Sequence, residues 1–125
     1  MGISYHPAPD IQKRALHVTI RLSLQHIDLS RVAFVRSKGS KSRRTLARCH
    51  ALSRIFQKAL GIKAHYVIEV ISEHFDRLSY DDQTRTIIHE LLHIPASMGG
   101  GFRHHKPYVN RRIVEKFYKE YIIGD

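Results

Sequence analysis

Tryptophan is absent from the 125-residue chain, and cysteine occurs once, at Cys49. A lone cysteine excludes an intrachain disulfide, a zinc ribbon and any site built from several thiolates. Cys49 therefore reads as a small buried apolar residue. No apolar run approaches the roughly 20 residues of a membrane span, and the N-terminal stretch Met1-Gly2-Ile3-Ser4-Tyr5-His6-Pro7-Ala8-Pro9 lacks the apolar segment of a secretion signal. The expectation is a cytoplasmic protein with no membrane partner. Internal repeats and Gly-, Ser- or Pro-rich linkers are missing as well, so residues 1–125 read as a single domain with one core and no separate substrate-recognition module.

Acidic residues are missing from Leu29 to Ile68, a segment that holds ten Lys and Arg. The rest of the chain carries eleven of each sign, so the whole net charge of +10 originates here. Between Ser42 and Gly61 the residues Leu46, Cys49, Leu52, Phe56, Ala59 and Leu60 fall on one arc of a helix running from about Arg43 to Leu60. Arg43, Arg44, Arg48, Arg54 and Lys58 fall on the other arc, continuous with a Ser37-Lys38-Gly39-Ser40-Lys41-Ser42 loop that could seat phosphates. Arg36, Lys38, Lys41, Arg43, Arg44 and Arg48 are accordingly the candidate nucleic-acid contacts. No reader motif is visible, however, and aromatics are not interleaved with the basic residues as base stacking requires. The same charge could instead attract an acidic protein substrate.

What is present is concentrated in His89-Glu90-Leu91-Leu92-His93, the spacing of a zinc-peptidase helix. The composition predicts about 0.03 chance occurrences of this pattern in such a chain. Histidines four apart on a helix differ by roughly 40° of rotation and about 6 Å of rise, so His89 and His93 can share one metal. Glu90, beside the first, can take a proton from a metal-activated water and pass it to a leaving amine. Ser79 reads as an N-cap, Asp81 and Asp82 favour the first turn, and Ile87, Ile88, Leu91 and Leu92 supply the apolar flanks. Pro95 and Gly99-Gly100-Gly101 then turn the chain away. Catalytic zinc usually takes three protein ligands. The third is open among His104, His105, Glu115 and Glu120, while Gly99 excludes a histidine six residues beyond His93.

Elsewhere, Asp10 reads as the N-cap of a helix over 10–26 with Ile11, Ala15, Val18 and Leu22 at helical spacing, and residues 31–37 and 64–72 read as strands. Pro107 opens a last helix with Val109, Ile113, Phe117 and Tyr121 at intervals of four. His6, His17, His26, His50, His65 and His74 lack ligand spacing, and Met98 reads as core.

His89-Glu90-Leu91-Leu92-His93-Ile94-Pro95, the glycines, Arg103-His104-His105 and Tyr108-Val109-Asn110 together resemble the small metallopeptidases of archaea and phages. The likeness extends to Phe34-Val35-Arg36-Ser37, Gly39-Ser40-Lys41-Ser42, Ala47-Arg48 and Tyr66 to Glu73, and spans most of residues 8–121. Broader kin are the zincins, including SprT-like proteases that act at DNA. The resemblance implies an α+β fold, a minimal zincin-like domain in which a small sheet packs with about four helices, one of them the metal helix. It also implies Zn²⁺ as cofactor and a peptide or protein as substrate. The family's Arg-x-His arrangement falls on His105, with His104 as rival third ligand. In zincins an edge strand of the sheet pairs with substrate backbone, for which 64–72 is the candidate. Glu69 on that strand faces solvent or orients a ligand imidazole. Tyr108 either packs or donates a hydrogen bond to the developing oxyanion. The alternative reading is a nucleic-acid-binding protein, or a DNA-recruited SprT-like protease, that uses the basic 29–68 face.

Overall fold

Pro9 begins the first helix, where its missing N–H costs nothing. In the structure, a computed structural model describing residues 2–95, 97–101 and 109–124, the helix α1 spans Pro9–Arg21. Ala8 occupies the cap position, so Asp10 stands in the first turn and does not cap. Its carboxylate instead receives Arg36 at 2.7 Å, which holds the Asp10 pKa below its ordinary value. Ile11, Ala15 and Val18 form the buried stripe expected from the spacing.

The helix stops well before residue 26. Ser23 adopts φ 53°, and the Leu24 N–H reaches back to the Thr19 carbonyl while the Ser23 N–H reaches Ile20. This paired closure satisfies carbonyls that the helix end leaves open, and buried Leu24 seals it with an apolar contact. A left-handed serine carries a Cβ penalty that glycine avoids. Ser23→Gly is therefore expected to stabilise the protein by about 0.5–1 kcal/mol, read as a higher midpoint in denaturant unfolding at unchanged slope.

Four strands form one sheet in the order β1-β2-β4-β3, comprising β1 (Ser4–Pro7), β2 (Val32–Lys38), β3 (Ala47–Ala51) and β4 (Tyr66–Ile71). A short 3₁₀ turn at Leu29–Arg31 precedes β2, capped by the Asp28 side chain. β2 and β4, the two strands read from composition, pair in parallel with Phe34 opposite Ile68, while β1 and β3 flank them antiparallel. Tyr66, Ile68 and Val70 are almost wholly buried on one face of β4, as a central strand packed beneath helices requires.

Residues 43–60 are not one helix. Ala47, Cys49 and Ala51 alternate with exposed Arg48 and His50 along β3, and a separate helix α2 spans Arg54–Leu60. Ser53 caps α2, and Gly61, at φ 65°, ends it. The apolar arc that suggested a long helix also contains a period-two stretch, and pairing with β4 selects that period. Phe56 and Leu60, assigned to a buried arc, are exposed. A second consequence concerns β4, which has a strand on each side and so cannot offer a free edge; β3 is the edge strand beside it, and β1 is the edge strand at the far side of the sheet.

The single turn α3 (Ser72–Phe75) leads to α4 (Tyr80–Leu92). The Ser79 hydroxyl accepts the Asp82 N–H at 3.1 Å, and Asp81 and Asp82 lie in the first turn, where the helix dipole favours them. Ile87, Ile88 and Leu91 are fully buried against α1 and the sheet. The last helix, α5 (Arg111–Ile123), begins at Asn110, whose side chain caps Ile113, and buries Val114 and Tyr118. Arg85 joins α4 to α5, meeting Glu115 at 2.9 Å while its guanidinium lies 4.0 Å above the Tyr118 ring. Met98 is buried, and its sulfur accepts the Asp28 N–H. The described residues thus form one four-stranded sheet and five helices, two of them short, in an α+β arrangement. Among the described residues no helix is long and apolar enough to cross a membrane.

Candidate active site

His89 lies in the last turn of α4, and His93 occupies the cap position after it. Their Nε2 atoms stand 3.2 Å apart, with the ring planes inclined at 72°. Two nitrogens bound at 2.0–2.1 Å to a tetrahedral zinc stand about 3.3 Å apart, so this pair fits two corners of such a site without rearrangement. Both imidazoles reach the position because i,i+4 residues share a helix face.

Glu90 is 6% exposed, with Oε2 3.9 Å from His89 Nε2. Burial removes water from the carboxylate and raises its pKa to about 7. Across from it, the Cys49 thiol of β3 is pushed up to about 12, first by burial and then by the charge on Glu90. Cys49 is half-buried: it packs against the core, as the composition suggests, and also lines this site.

These groups line a cleft of about 960 Å³ bounded by β3, α4 and the beginning of α5. Its walls include Leu46, Ala47 and Cys49 on one side, His89, Glu90 and His93 on the floor, and Arg111, Val114 and Glu115 on the other side. The edge of β3 that does not pair with β4 runs along this opening. Two small side chains, Ala47 and Cys49, keep its inner face close to the floor.

Of the residues singled out for chemistry, His89, Glu90 and His93 come together here. His104, His105 and Tyr108 lie outside the described residues. Glu115 lines the cleft, with its carboxylate engaged by Arg85, and Glu120 is exposed on α5. Among the described residues, no group of three or more His, Cys, Asp or Glu side chains could hold a metal, so the described donors amount to the histidine pair. Glu69 is buried, neither facing solvent nor lining the cleft. It pairs with Arg48 across the sheet, on the face opposite Cys49, and accepts a hydrogen bond from His50 Nε2 at 2.8 Å. The proposed basic contacts also divide. Arg36 is held by Asp10 and Asp76 and Arg48 approaches Glu69 at 3.9 Å, whereas Lys38, Lys41, Arg43 and Arg44 are exposed.

A family model described as "Putative phage metallopeptidase" matches residues 3–121. The chain belongs to this family. Its description places the members among metallopeptidases, enzymes that hydrolyse peptide bonds with the help of a metal ion. In this phage metallopeptidase chain the match takes in every element from β1 to α5 apart from the last residues. No curated protein and no solved structure matches the chain.

Sequence reasoning missed the β3 edge and the Asp82–Arg85–Glu115 cluster on the cleft wall. The first had a signal in the Ala47/Cys49/Ala51 alternation. The second had none, because residues thirty apart meet only when α5 folds back on α4.

Proposed function

We propose that the protein is a zinc-dependent peptidase in which His89 and His93 bind the metal through Nε2 and His105 supplies the third ligand, with His104 as its rival. The observation that supports this is the 3.2 Å separation of the two imidazole nitrogens beside a buried carboxylate in an open cleft. When bound, zinc supplies Lewis acidity that polarises the scissile carbonyl and acidifies water.

The chain's own residues carry the remaining work. An extended substrate lies along the free edge of β3, where main-chain hydrogen bonds align it by strand addition. Glu90 takes the proton of the attacking water and returns it to the leaving amine. A pKa raised to about 7 suits both transfers at neutral pH. Burial by β3 and α4 excludes bulk water from the carboxylate, so its proton passes to the substrate rather than to solvent.

The test is elemental analysis of untagged protein and of His105→Ala, together with peptide hydrolysis before and after chelation. Stoichiometric zinc in the native chain, lost in the variant, and hydrolysis that stops on chelation and returns with zinc are the expected results. Zinc retained by the variant moves the third ligand to His104 or Glu115. Hydrolysis indifferent to chelation overturns the proposal.

A further inference from the structure

The arginines of the cleft region fall into two sets. Arg85 is engaged by Asp82 and Glu115, and Arg36 and Arg48 face carboxylates outside the cleft. Lys41, Arg43 and Arg44 are exposed and form no ion pair among the described residues, and the same holds for Arg111 and Arg112.

Position gives the second set its meaning. Arg43 and Arg44 immediately precede Thr45 and Leu46, which form one lip of the cleft. Arg111 forms part of the opposite lip and Arg112 follows it at the start of α5. The first lip is held in place by several hydrogen bonds. Glu73 accepts the Gly39 N–H at 2.8 Å, His74 donates to the Ser42 carbonyl at 2.6 Å, and the Ser42 hydroxyl accepts the Thr45 N–H at 3.2 Å. Gly39, at φ 94°, makes the turn that begins this loop; a Cβ there would meet the Gly2 carbonyl at 2.9 Å. A fixed loop presents its charges at a lower ordering cost than a flexible one.

The carboxylates of the cleft offset only part of this charge. Asp82 and Glu115 already share Arg85, and Glu90 is buried in the floor. A cleft with exposed arginines on both lips, outnumbering the acids that Arg85 leaves uncompensated, concentrates anionic ligands. Two observations favour a polypeptide over nucleic acid as that ligand. The opening runs along a free strand edge, which pairs with peptide backbone, and no Phe, Tyr or Trp lines it among the described residues, so bases lack the large rings on which they stack best.

We infer that the substrate segment is an acidic stretch of polypeptide, whose Asp and Glu side chains on either side of the scissile bond are held by Arg43 and Arg44 on one lip and Arg111 and Arg112 on the other. This rests on the peptidase reading above and adds the substrate class. The pairs are exposed, so each contributes little and the selectivity is collective and sensitive to salt.

The experiment measures binding of a fluorescein-labelled Asp/Glu-rich peptide and its isosteric Asn/Gln counterpart to the zinc-loaded Glu90→Gln chain. The same chain is examined with Arg43→Glu/Arg44→Glu, with Arg111→Glu/Arg112→Glu, and with each pair changed to glutamine. The expected result is roughly tenfold tighter binding of the acidic peptide, weakening with salt. Each reversal should remove part of that preference and the two together nearly all of it, with the glutamine variants intermediate. Equal affinity for the two peptides, or a preference that survives both reversals, overturns the inference. So does a single-stranded DNA oligonucleotide that displaces the acidic peptide and binds more tightly through the same arginines. Cleavage of both peptides at equal rates by the zinc-loaded native protein would defeat this inference and leave the peptidase reading standing. Acid-selective binding without any cleavage would do the reverse.

Discussion

Glu90→Gln is expected to lose peptide hydrolysis by about 10²–10⁴-fold while keeping its zinc, and to make the metal-free protein more stable above pH 7. The first effect follows from removing the proton acceptor while leaving His89 and His93 in place. The second follows from burial. The Glu90 carboxyl titrates near 7 in the folded chain against an ordinary value of 4.5, so between these pH values the folded state holds a proton that the unfolded state has released. Stability therefore falls as pH rises through that window, and above pH 7 the buried charge costs on the order of 3 kcal/mol. Glutamine carries no such charge. Thermal unfolding in chelator should show the variant melting roughly 10 °C above the native chain at pH 8, with the gap closing near pH 5. Equal midpoints at pH 8 would mean that the carboxylate is hydrated despite its position. Retained turnover would remove Glu90 from the mechanism.

His93→Ala should weaken zinc binding by at least about a hundredfold, the upper end of what removing a mere supporting partner of a ligand costs. It should also abolish the stabilisation that zinc confers. For a site holding metal at 1,000 times its dissociation constant, that stabilisation is about 4 kcal/mol. The native midpoint should thus climb with added zinc, and the variant midpoint should not. A zinc response in His93→Ala equal to that of the native chain would place the metal elsewhere.

Local chemistry made α4 legible. A serine cap, acids in the first turn, an apolar flank and two histidines four apart agree with one another, and each depends only on neighbours within a few residues. The parallel pairing of β2 with β4 and the burial of Glu69 were not legible in that way. Glu69 sits between Ile68 and Val70, and the partners its carboxylate meets depend on register with β3, which sets Arg48 opposite it and brings His50, nineteen residues away, within hydrogen-bond distance. Period alone also misjudged where α1 ends, since Leu22 continues the apolar stripe and the closure at Ser23 and Leu24 is set by hydrogen bonding.

The sequence by itself determined the histidine pair, the carboxylate between its members, the capped helix that carries them and the concentration of positive charge before Ile68. These depend on helix geometry and composition, which act over a few residues. Only the tertiary structure decided that residues 47–51 form a strand, that this strand rather than β4 borders the cleft, and which arginines remain at its lips. The 43–60 segment satisfies both a helical and a strand period, and the hydrogen bonds offered by β4 break that tie. Likewise, every arginine carries the same charge in the sequence, but folding brings Asp10, Asp76, Asp82 and Glu115 to some of them and leaves others exposed.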